Sequence, residues 1–284
     1  AKEQDRVRNM LSLNAQTGPV LSAHRADPVI RALLARIKTQ PPLFEVEGQH
    51  GVMHTLWRVD DAPSVAAVSA AFERSQPIYI ADGHHRSAAA ARAAAQLRTP
   101  QASATARHEY FLTVVFPHDE LQILGYNRVV KDLNGLSVET LLERLTEDFD
   151  VAASASPVAP RAPATFGMFA DGRWYRLALR TARMPANDPV ARLDVSLLQA
   201  RILAPLLGVG DPRTDPRIDF IGGVGGPAEL ERRVRSSQYA IAFSLYPTGM
   251  DQLMAVADAG RLMPPKSTWF EPKLADGLLS HVLD

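Results

Sequence analysis

The sequence contains no cysteine among its 284 residues. This absence excludes disulfides, thiolate metal ligands and cysteine nucleophiles together. No apolar run approaches the roughly 18 residues that a membrane-spanning helix needs. Basic and acidic residues balance at 31 each, so no net field would recruit nucleic acid or an anionic membrane. We therefore expect a cytoplasmic protein whose partners are small molecules, with neither DNA nor a membrane among them.

Two common catalytic sequence patterns are also missing. No Gly-x-Ser-x-Gly elbow occurs, which argues against a serine hydrolase of the α/β type. The glycine-rich run Ile221–Gly226 lacks the Lys-Ser/Thr pair of a Walker loop, so a plain turn is the better interpretation there. Only His50 and His54 have the i, i+4 spacing of a helical metal site, and they fall in a predicted hairpin.

Periodicity and capping residues predict an α/β or α+β fold with mixed sheets and flanking helices. The predicted helices are Asp5–Leu13, Pro28–Lys38, Ala62–Glu73, Ser87–Leu97, Ser137–Phe149, Val195–Ala204, Pro227–Arg235 and Asp251–Ala259. The predicted strands are Phe44–Val46, Met53–Val59, Pro77–Ala81, Tyr110–Phe116, Phe166–Phe169, Trp174–Leu179, Ile218–Ile221 and Ala240–Tyr246, and Tyr110–Phe116 is the strongest candidate for a central strand. Alanine, serine and three prolines at 151–163 predict a boundary between portions 1–150 and 151–284.

The densest chemistry is the run Asp82-Gly83-His84-His85-Arg86, between a strand that we expect to be buried and an alanine-rich helix. A strand, a tight turn and a helix start together aim free backbone N–H groups and the positive helix end at one point, which suits phosphate. Gly83 would let a ligand approach the backbone, and Arg86 would add a forked donor. The competing interpretation is structural, with Asp82 as a helix cap. Because adjacent helical histidines diverge by roughly 100°, His84 and His85 are poorly placed to share a metal.

Three further segments carry candidate chemistry. Arg128, which we expect at the surface, and Lys266, on a proline-stiffened loop, are weaker candidates for binding phosphate. The loop Asp211–Asp219 could hold Mg²⁺ or a substrate amine, or could be a salt-bridged surface turn. We expect the loops 211–219 and 264–271 to face the same cleft as Asp82, because α/β folds place function at strand ends.

Five motifs together resemble the domain-of-unknown-function family numbered 1015. They are Asp82-Gly-His-His-Arg86, Tyr126-Asn-Arg-Val-Val-Lys-Asp132, Asp211-Pro-Arg-Thr-Asp215, Ile218-Asp-Phe-Ile-Gly-Gly223 and Met263-Pro-Pro-Lys-Ser-Thr-Trp-Phe-Glu-Pro-Lys273. That family resembles a distant branch of the ParB/sulfiredoxin-like superfamily, which includes the archaeal free-serine kinase. The resemblance implies a ParB/sulfiredoxin-like core around the turn at 82–86, followed by a C-terminal α/β portion. It also implies that residues 82–86 hold nucleotide phosphates.

The resemblance implies a nucleotide-dependent kinase that acts on a small hydroxyl compound such as free serine, with ADP or ATP and Mg²⁺. Asp82 would ligate Mg²⁺ or orient the hydroxyl, and His84 or His85 would assist proton transfer. Two alternatives stay open, a non-catalytic nucleotide-binding or regulatory protein and a phosphatase acting on a phosphoserine-like substrate. The chain starts without methionine, and we expect it to lack the N-terminal stretch of the family pattern. The glutamate that serves the serine kinase branch therefore has no assigned counterpart.

Overall fold

The structure, a computed structural model, describes residues 2–48, 51–75, 77–101, 103, 105–271 and 273–284. Its α-helices are α1 Lys2–Leu13, α2 Pro28–Ile37, α3 Ala62–Arg74, α4 His84–Leu97, α5 Val138–Leu145, α6 Asp194–Leu198, α7 Gly226–Arg235 and α8 Met250–Asp258. Its strands are β1 Ala15–Gln16, β2 Val20–His24, β3 Phe44–Glu47, β4 Met53–Leu56, β5 Ile78–Asp82, β6 Thr113–Pro117, β7 Gln122–Leu124, β8 Tyr126–Val130, β9 Phe149–Ser154, β10 Thr165–Ala170, β11 Arg173–Leu179, β12 Ile218–Gly222, β13 Ile241–Leu245, β14 Trp269–Glu271 and β15 His281–Val282. The mixed α/β class is confirmed. No described helix is long and apolar enough to cross a membrane.

The chain forms two compact units, Ala1–Leu121 with Pro272–Asp284, and Gln122–Glu271. The expected boundary at residue 150 falls inside the second unit, within β9. This strand pairs antiparallel with β11 from Phe149 to Ser154. The alanine and serine residues of β9 are therefore part of a β-sheet, although the composition of this segment suggests a linker. The predicted hairpin of β3 and β4 is present, but its residues Gln49 and His50 lie outside the described residues.

The first unit contains a three-stranded sheet in the order β5-β2-β6. The predicted central strand at Tyr110–Phe116 is wrong in position, because β6 is at the edge and β2 is in the middle. All five residues of β2 are buried, including two polar ones. Ser22 shares a 2.8 Å hydrogen bond with Thr113, and the Nδ1 atom of His24 lies 2.7 Å from the carbonyl of Arg25. These contacts give Ser22 and the Nδ1 atom of His24 partners at the centre of the sheet, whereas no described group pairs with the buried Nε2 atom of His24.

Strand β5 and helix α4 are adjacent in sequence and carry the candidate phosphate turn between them. The expectation that this strand is buried holds for one face only, since Tyr79 and Ala81 are buried while Ile78, Ile80 and Asp82 are exposed. The strand lies at the edge of its sheet, and its side chains are alternately exposed and buried, so only one of its faces is covered. Asp82 therefore ends the strand on its exposed side.

Helix α4 packs its alanine face on α1. Ala89, Ala90 and Ala93 of α4 are buried with Val7 and Met10 of α1. Because alanine side chains are small, the two helix backbones can approach closely. This contact fixes the positions of polar residues that flank it on both helices.

The second unit is built on a six-stranded antiparallel sheet in the order β12-β8-β13-β10-β11-β9. Strands β12 and β13 both pair antiparallel with β8, which lies between them, so they run in the same direction. Helix α7 connects them, which confirms the predicted strand–helix–strand crossover. The hairpin of β10 and β11 is also confirmed, with Asp171 and Gly172 both left-handed at φ values of 47° and 72°.

The predicted helix Val195–Ala204 is interrupted. Helix α6 ends at Leu198, and residues Gln199–Leu203 form a π-helical turn. The side chain of Gln199 leaves the helix and donates to the carbonyls of Val209 and Gly210 at 2.7 and 3.0 Å. The leucine and isoleucine residues of both parts still face the core, as their spacing predicts.

Asp194 is a buried carboxyl group at the start of α6. Its Oδ1 atom accepts a 2.9 Å hydrogen bond from the backbone N–H of Ala164, and no described group pairs with its Oδ2 atom. Burial raises the pKa of Asp194 from 3.8 to about 7, and the hydrogen bond from Ala164 opposes this rise. The folded state therefore binds the proton more tightly than the unfolded state does.

We predict that this carboxyl group lowers the stability progressively as the pH rises from about 4 to about 7. Asp194→Asn keeps an acceptor for Ala164 but carries no charge. The free energy of unfolding should be nearly equal to wild type at pH 4 and higher by up to about 4 kcal/mol at pH 8. Urea denaturation at the two pH values measures the difference. Asp188→Asn is the control, because the pKa of Asp188 is lowered by backbone N–H groups of Ala191 and Val190. A gain for Asp194→Asn that does not change with pH would contradict the prediction.

Candidate functional site

The candidate site begins with a backbone turn at Gly83. This residue joins β5 to α4 in the left-handed conformation, with φ 94° and ψ 23°. A Cβ atom placed on it would lie 3.3 Å from the Cα atom of Val20. Both the dihedral angles and the close packing against β2 favour glycine. The chain can therefore turn sharply from the sheet into the helix.

The first turn of α4 presents unpaired donors. The carbonyl of Gly83 accepts hydrogen bonds from the backbone N–H groups of Arg86 and Ser87, at 2.8 and 3.0 Å. Within the described chain, the N–H groups of His84 and His85 have no hydrogen-bond partner, and no side chain caps the helix. Asp82 does not act as the cap, because its Oδ1 atom accepts from the N–H of Gly83 at 2.8 Å. Two N–H groups at the positive end of a 14-residue helix can bind an anion.

Arg86 is held at one side of this turn. Its Nη1 atom donates to the carbonyl of Pro19 at 2.6 Å, and its Nη2 atom lies 3.8 Å from Asp276. The guanidinium also lines a cavity of about 480 Å³. The residues around this cavity are Asp5, Arg6, Asn9, Met10, Ala15, Thr17, Gly18, Arg86 and Asp276. Arg86 is thus positioned by protein groups and still lines a space where a ligand can lie.

The two histidines diverge, as the helix geometry predicts. The Nδ1 atom of His85 lies 3.2 Å from Glu3 of α1, and the other carboxylate oxygen of Glu3 pairs with Arg92 at 2.9 Å. His84 is exposed. Asp82 lies 3.7 Å from the ammonium of Lys273. The described residues contain no group of three acidic or histidine side chains arranged to hold a metal ion. A metal at Asp82 would therefore need other ligands, such as phosphate oxygens and water.

Arg128 is buried, so the prediction that it lies at the surface after a strand is wrong. It lies within β8, where the guanidinium donates to the carbonyls of Tyr126, Asn127 and Lys266, the last at 2.8 Å. Its Cζ atom is 4.6 Å from the ring centroid of Phe220. Carbonyl oxygens and aromatic faces thus replace the water that a surface arginine would have. Burial lowers the pKa of Arg128 to about 9, so it stays protonated at neutral pH.

Lys266 is exposed and has a left-handed backbone with φ 57°. Its ammonium lies 5.6 Å from the ring centroid of Tyr126, which also packs edge-on against Trp269 at 5.2 Å. These contacts tie the loop before β14 to β8 within the second unit. The phosphate-binding roles of Arg128 and Lys266 stay predictions, as does their proximity to Asp82, which belongs to the first unit.

The acidic loop Asp211–Asp219 is a salt-bridged turn. Arg213 forms a two-pronged ion pair with Asp211, at 3.0 and 2.8 Å. Arg217 pairs with Asp215 at 2.8 Å. Hydrogen bonds from Arg213 lower the pKa of Asp211 to about 2. Because the carboxylates of Asp211 and Asp215 are already neutralised by arginines, the geometry favours the structural interpretation of this loop over a Mg²⁺ site.

The glycine-rich run after β12 serves packing. A Cβ atom at Gly222 would lie 2.7 Å from the ring of Trp269, and one at Gly223 would lie 2.7 Å from the carbonyl of Gly125. Side chains at either position would collide with a ring or with backbone. The two glycines therefore allow β12 and the following turn to lie against neighbouring segments of the second unit.

The comparisons with known proteins establish the family. The model of the family described as "Protein of unknown function (DUF1015)" matches residues 1–196. The chain belongs to this family. No curated protein matches the sequence.

Three solved structures illustrate the similarity at low identity. A conserved hypothetical protein from Pyrococcus furiosus is 12% identical with a TM-score of 0.41, and the alignment covers 97% of this chain and 85% of that one. A free serine kinase, solved in complex with AMP, is 12% identical with a TM-score of 0.41, and the alignment covers 95% and 79%. SbnI from Staphylococcus aureus, solved with a C-terminal truncation, is 13% identical with a TM-score of 0.45, and the alignment covers 99% and 80%.

Sequence reasoning identified Arg86 but missed the other residues around its cavity. Asp5, Arg6 and Asn9 lie on α1, and Asp276 comes from the C-terminal segment. A usable signal was present in α1, where Asp5 and Asn9 are one helical turn apart while Val7 and Met10 form the buried stripe. No local pattern connects Asp276 with Arg86, because 190 residues separate them (276 − 86).

We predict that Arg128 stabilises the second unit. Arg128→Met would leave the carbonyls of Tyr126, Asn127 and Lys266 without this donor, and we expect it to lower the free energy of unfolding by roughly 2–4 kcal/mol. Arg213→Met, at an exposed ion pair with Asp211, is the control and should cost less than about 1 kcal/mol. Urea denaturation monitored by tryptophan fluorescence gives both values. Equal stabilities of the two variants would show that the buried contacts of Arg128 contribute little.

Proposed function

We propose that the protein binds the phosphates of a nucleotide at the start of α4 and transfers a phosphoryl group to a small hydroxyl compound, with free serine as the first candidate. The observation that carries this proposal is the pair of N–H groups of His84 and His85, which no described group accepts, in the same helical turn as Arg86, whose side chain lines a cavity. We take ADP or ATP as the nucleotide. Residues 82–86 would then be the phosphate-binding turn of a ParB/sulfiredoxin-like core.

Phosphate suits this turn for two physical reasons. Backbone N–H groups and the helix dipole favour an anion at a helix start, and their strength is greatest within the first turn. A guanidinium offers several donors in one plane, which matches the oxygens of a phosphate. Since Arg86 is already held by Pro19 and Asp276, little side-chain entropy would be lost when a ligand binds.

Phosphoryl transfer depends mainly on positioning and on charge neutralisation. Asp82, exposed at the end of β5, would coordinate Mg²⁺ together with phosphate oxygens and water, or would orient the acceptor hydroxyl. His84 is exposed and would assist proton transfer, or His85 would do so with Glu3 behind its ring. Lys266, exposed in the second unit, stays a weaker candidate for binding phosphate, whereas carbonyl oxygens already use the donors of the buried Arg128.

A non-catalytic nucleotide-binding protein is the second candidate. It is favoured by the contacts of the catalytic candidates, because Asp82 faces Lys273 and His85 faces Glu3. A carboxylate and an imidazole that are held in ion pairs are less available as base or metal ligand. In this alternative the turn binds the nucleotide for regulation, and no phosphoryl group moves.

We predict that Arg86→Ala weakens ADP binding by about 10- to 150-fold, which corresponds to roughly 1.5–3 kcal/mol for hydrogen bonds to a charged group. Isothermal titration calorimetry measures the dissociation constant. Arg98→Ala is a matched control, since Arg98 follows the other end of α4 and pairs with Glu109. Unchanged ADP affinity in Arg86→Ala would remove Arg86 from the site.

We predict that Asp82→Asn lowers Mg²⁺-dependent formation of phosphoserine by at least about 100-fold, as removal of a catalytic group typically does. Binding of ADP without Mg²⁺ should change by less than about threefold. Phosphorus NMR of the products, with ATP and with ADP as donors, gives the rate. A wild-type protein that binds nucleotide but forms no phosphorylated product from serine or from other small hydroxyl compounds would favour the non-catalytic candidate.

A further inference from the structure

A second arginine lines the cavity beside Arg86. Arg6 lies on the exposed side of α1, and its guanidinium forms no hydrogen bond or ion pair with any described residue. Arg8, two residues further along, pairs with Asp5 at 3.3 Å, and Arg86 is held by Pro19 and Asp276. Among the described residues, Arg6 is therefore the cation at this cavity whose N–H donors have no protein acceptor.

The packing of α1 on α4 holds Arg6 and Arg86 around the same space. Val7 and Met10, next to Arg6 on α1, are buried against the alanine face of α4. Asn9 follows Arg6 by three residues, so both lie on neighbouring parts of one helix face, and Thr17 adds a hydroxyl from the following loop. These neutral groups can donate hydrogen bonds without adding charge. The volume of about 480 Å³ falls within the range of small-molecule sites.

We propose that Arg6 is a phosphate-binding residue and that this cavity takes a ligand with two or more linked phosphate groups. Two guanidinium groups on different helices suit two anionic groups of one ligand better than a single phosphate. This inference rests on the proposed function for the identity of the ligand as a nucleotide. Its core, a site for linked phosphates that depends on Arg6, does not require a nucleoside or any reaction.

Gly18 provides an independent structural argument. A Cβ atom at this position would lie 2.7 Å from the Oδ1 atom of Asp276 and 3.5 Å from the Cζ atom of Arg86. A side chain here would therefore displace the ion pair of Arg86 or fill the cavity next to it. The absence of a side chain keeps the space beside Arg86 open without any change in charge.

The test compares inorganic pyrophosphate with inorganic phosphate by isothermal titration calorimetry on the full chain. Wild type should bind pyrophosphate at least about tenfold more tightly than phosphate. Arg6→Ala should weaken pyrophosphate binding by about 10- to 100-fold, which is the contribution of a hydrogen bond to a charged group. It should weaken phosphate binding by less than about threefold. Arg6→Lys keeps the charge and loses the forked guanidinium, so its affinity for pyrophosphate should lie between those of wild type and Arg6→Ala. Arg31→Ala is the control, because Arg31 lies on α2, pairs with Asp119 and does not line the cavity, and it should stay within about twofold of wild type.

Gly18→Val tests the role of the open space in the same experiment. It should weaken the binding of both pyrophosphate and phosphate, although it changes no charge. Circular dichroism melting curves confirm that each variant is folded. Pyrophosphate affinity in Arg6→Ala equal to wild type would overturn the inference. An equal loss in Arg31→Ala would also overturn it, since the effect would then come from general electrostatics.

The results separate this inference from the proposed function. If Arg86→Ala loses ADP while Arg6→Ala binds pyrophosphate normally, the nucleotide site stands and the role of Arg6 is wrong. If pyrophosphate binding depends on Arg6 while neither ADP nor ATP binds, the linked-phosphate site stands and the nucleotide proposal is wrong. A wild type without preference for pyrophosphate over phosphate would refute the inference directly.

Discussion

The contact between α1 and the alanine face of α4 is the constraint on which the candidate site depends. Each buried alanine contributes little apolar area, yet together they let two helices lie side by side. The polar residues at the edges of this contact then have defined neighbours. Glu3 reaches His85, and Arg6 lines the same cavity as Arg86. In the sequence, this run of alanines indicates only a helix. In the structure, it determines which charged groups of α1 and α4 come into contact.

The same residue type serves opposite purposes in the two units. Arg86 is partly exposed. It is held by the carbonyl of Pro19 and, at 3.8 Å, by the carboxylate of Asp276, so part of its hydrogen-bonding capacity is left for a ligand. Arg128 is buried and is satisfied by carbonyls and aromatic rings. Residue identity and a neighbouring motif do not distinguish these cases. The difference lies in whether the backbone around the guanidinium offers enough acceptors to replace water.

The sequence predicts helices and apolar strands well because local periodicity and capping decide them. Asp27 and Ser137 cap α2 and α5 as expected, and the Asp-Gly hairpin forms. Two of the interior strands, β2 and β8, were missed for a common reason. Each is fully buried and carries polar side chains, Ser22 and His24 in one and Asn127 and Arg128 in the other. Their partners are distant in sequence, as with Leu245, whose N–H donates to Asn127 at 3.1 Å. The turn at Gly83 was predictable from local residues, whereas the cavity required tertiary packing.

The pairing of β1 with β15 brings residues from opposite ends of the chain into the first unit. Lys273 reaches Asp82, and Asp276 reaches Arg86. During synthesis, the turn at Gly83 leaves the ribosome long before residues 273–284 do, and the whole second unit is made in between. The first unit therefore stays incomplete, with part of its surface uncovered, until residues 273–284 have been synthesised. Contacts at such long sequence separation are slow to form, so the surroundings of Asp82 and Arg86 are expected to be completed among the last folding events.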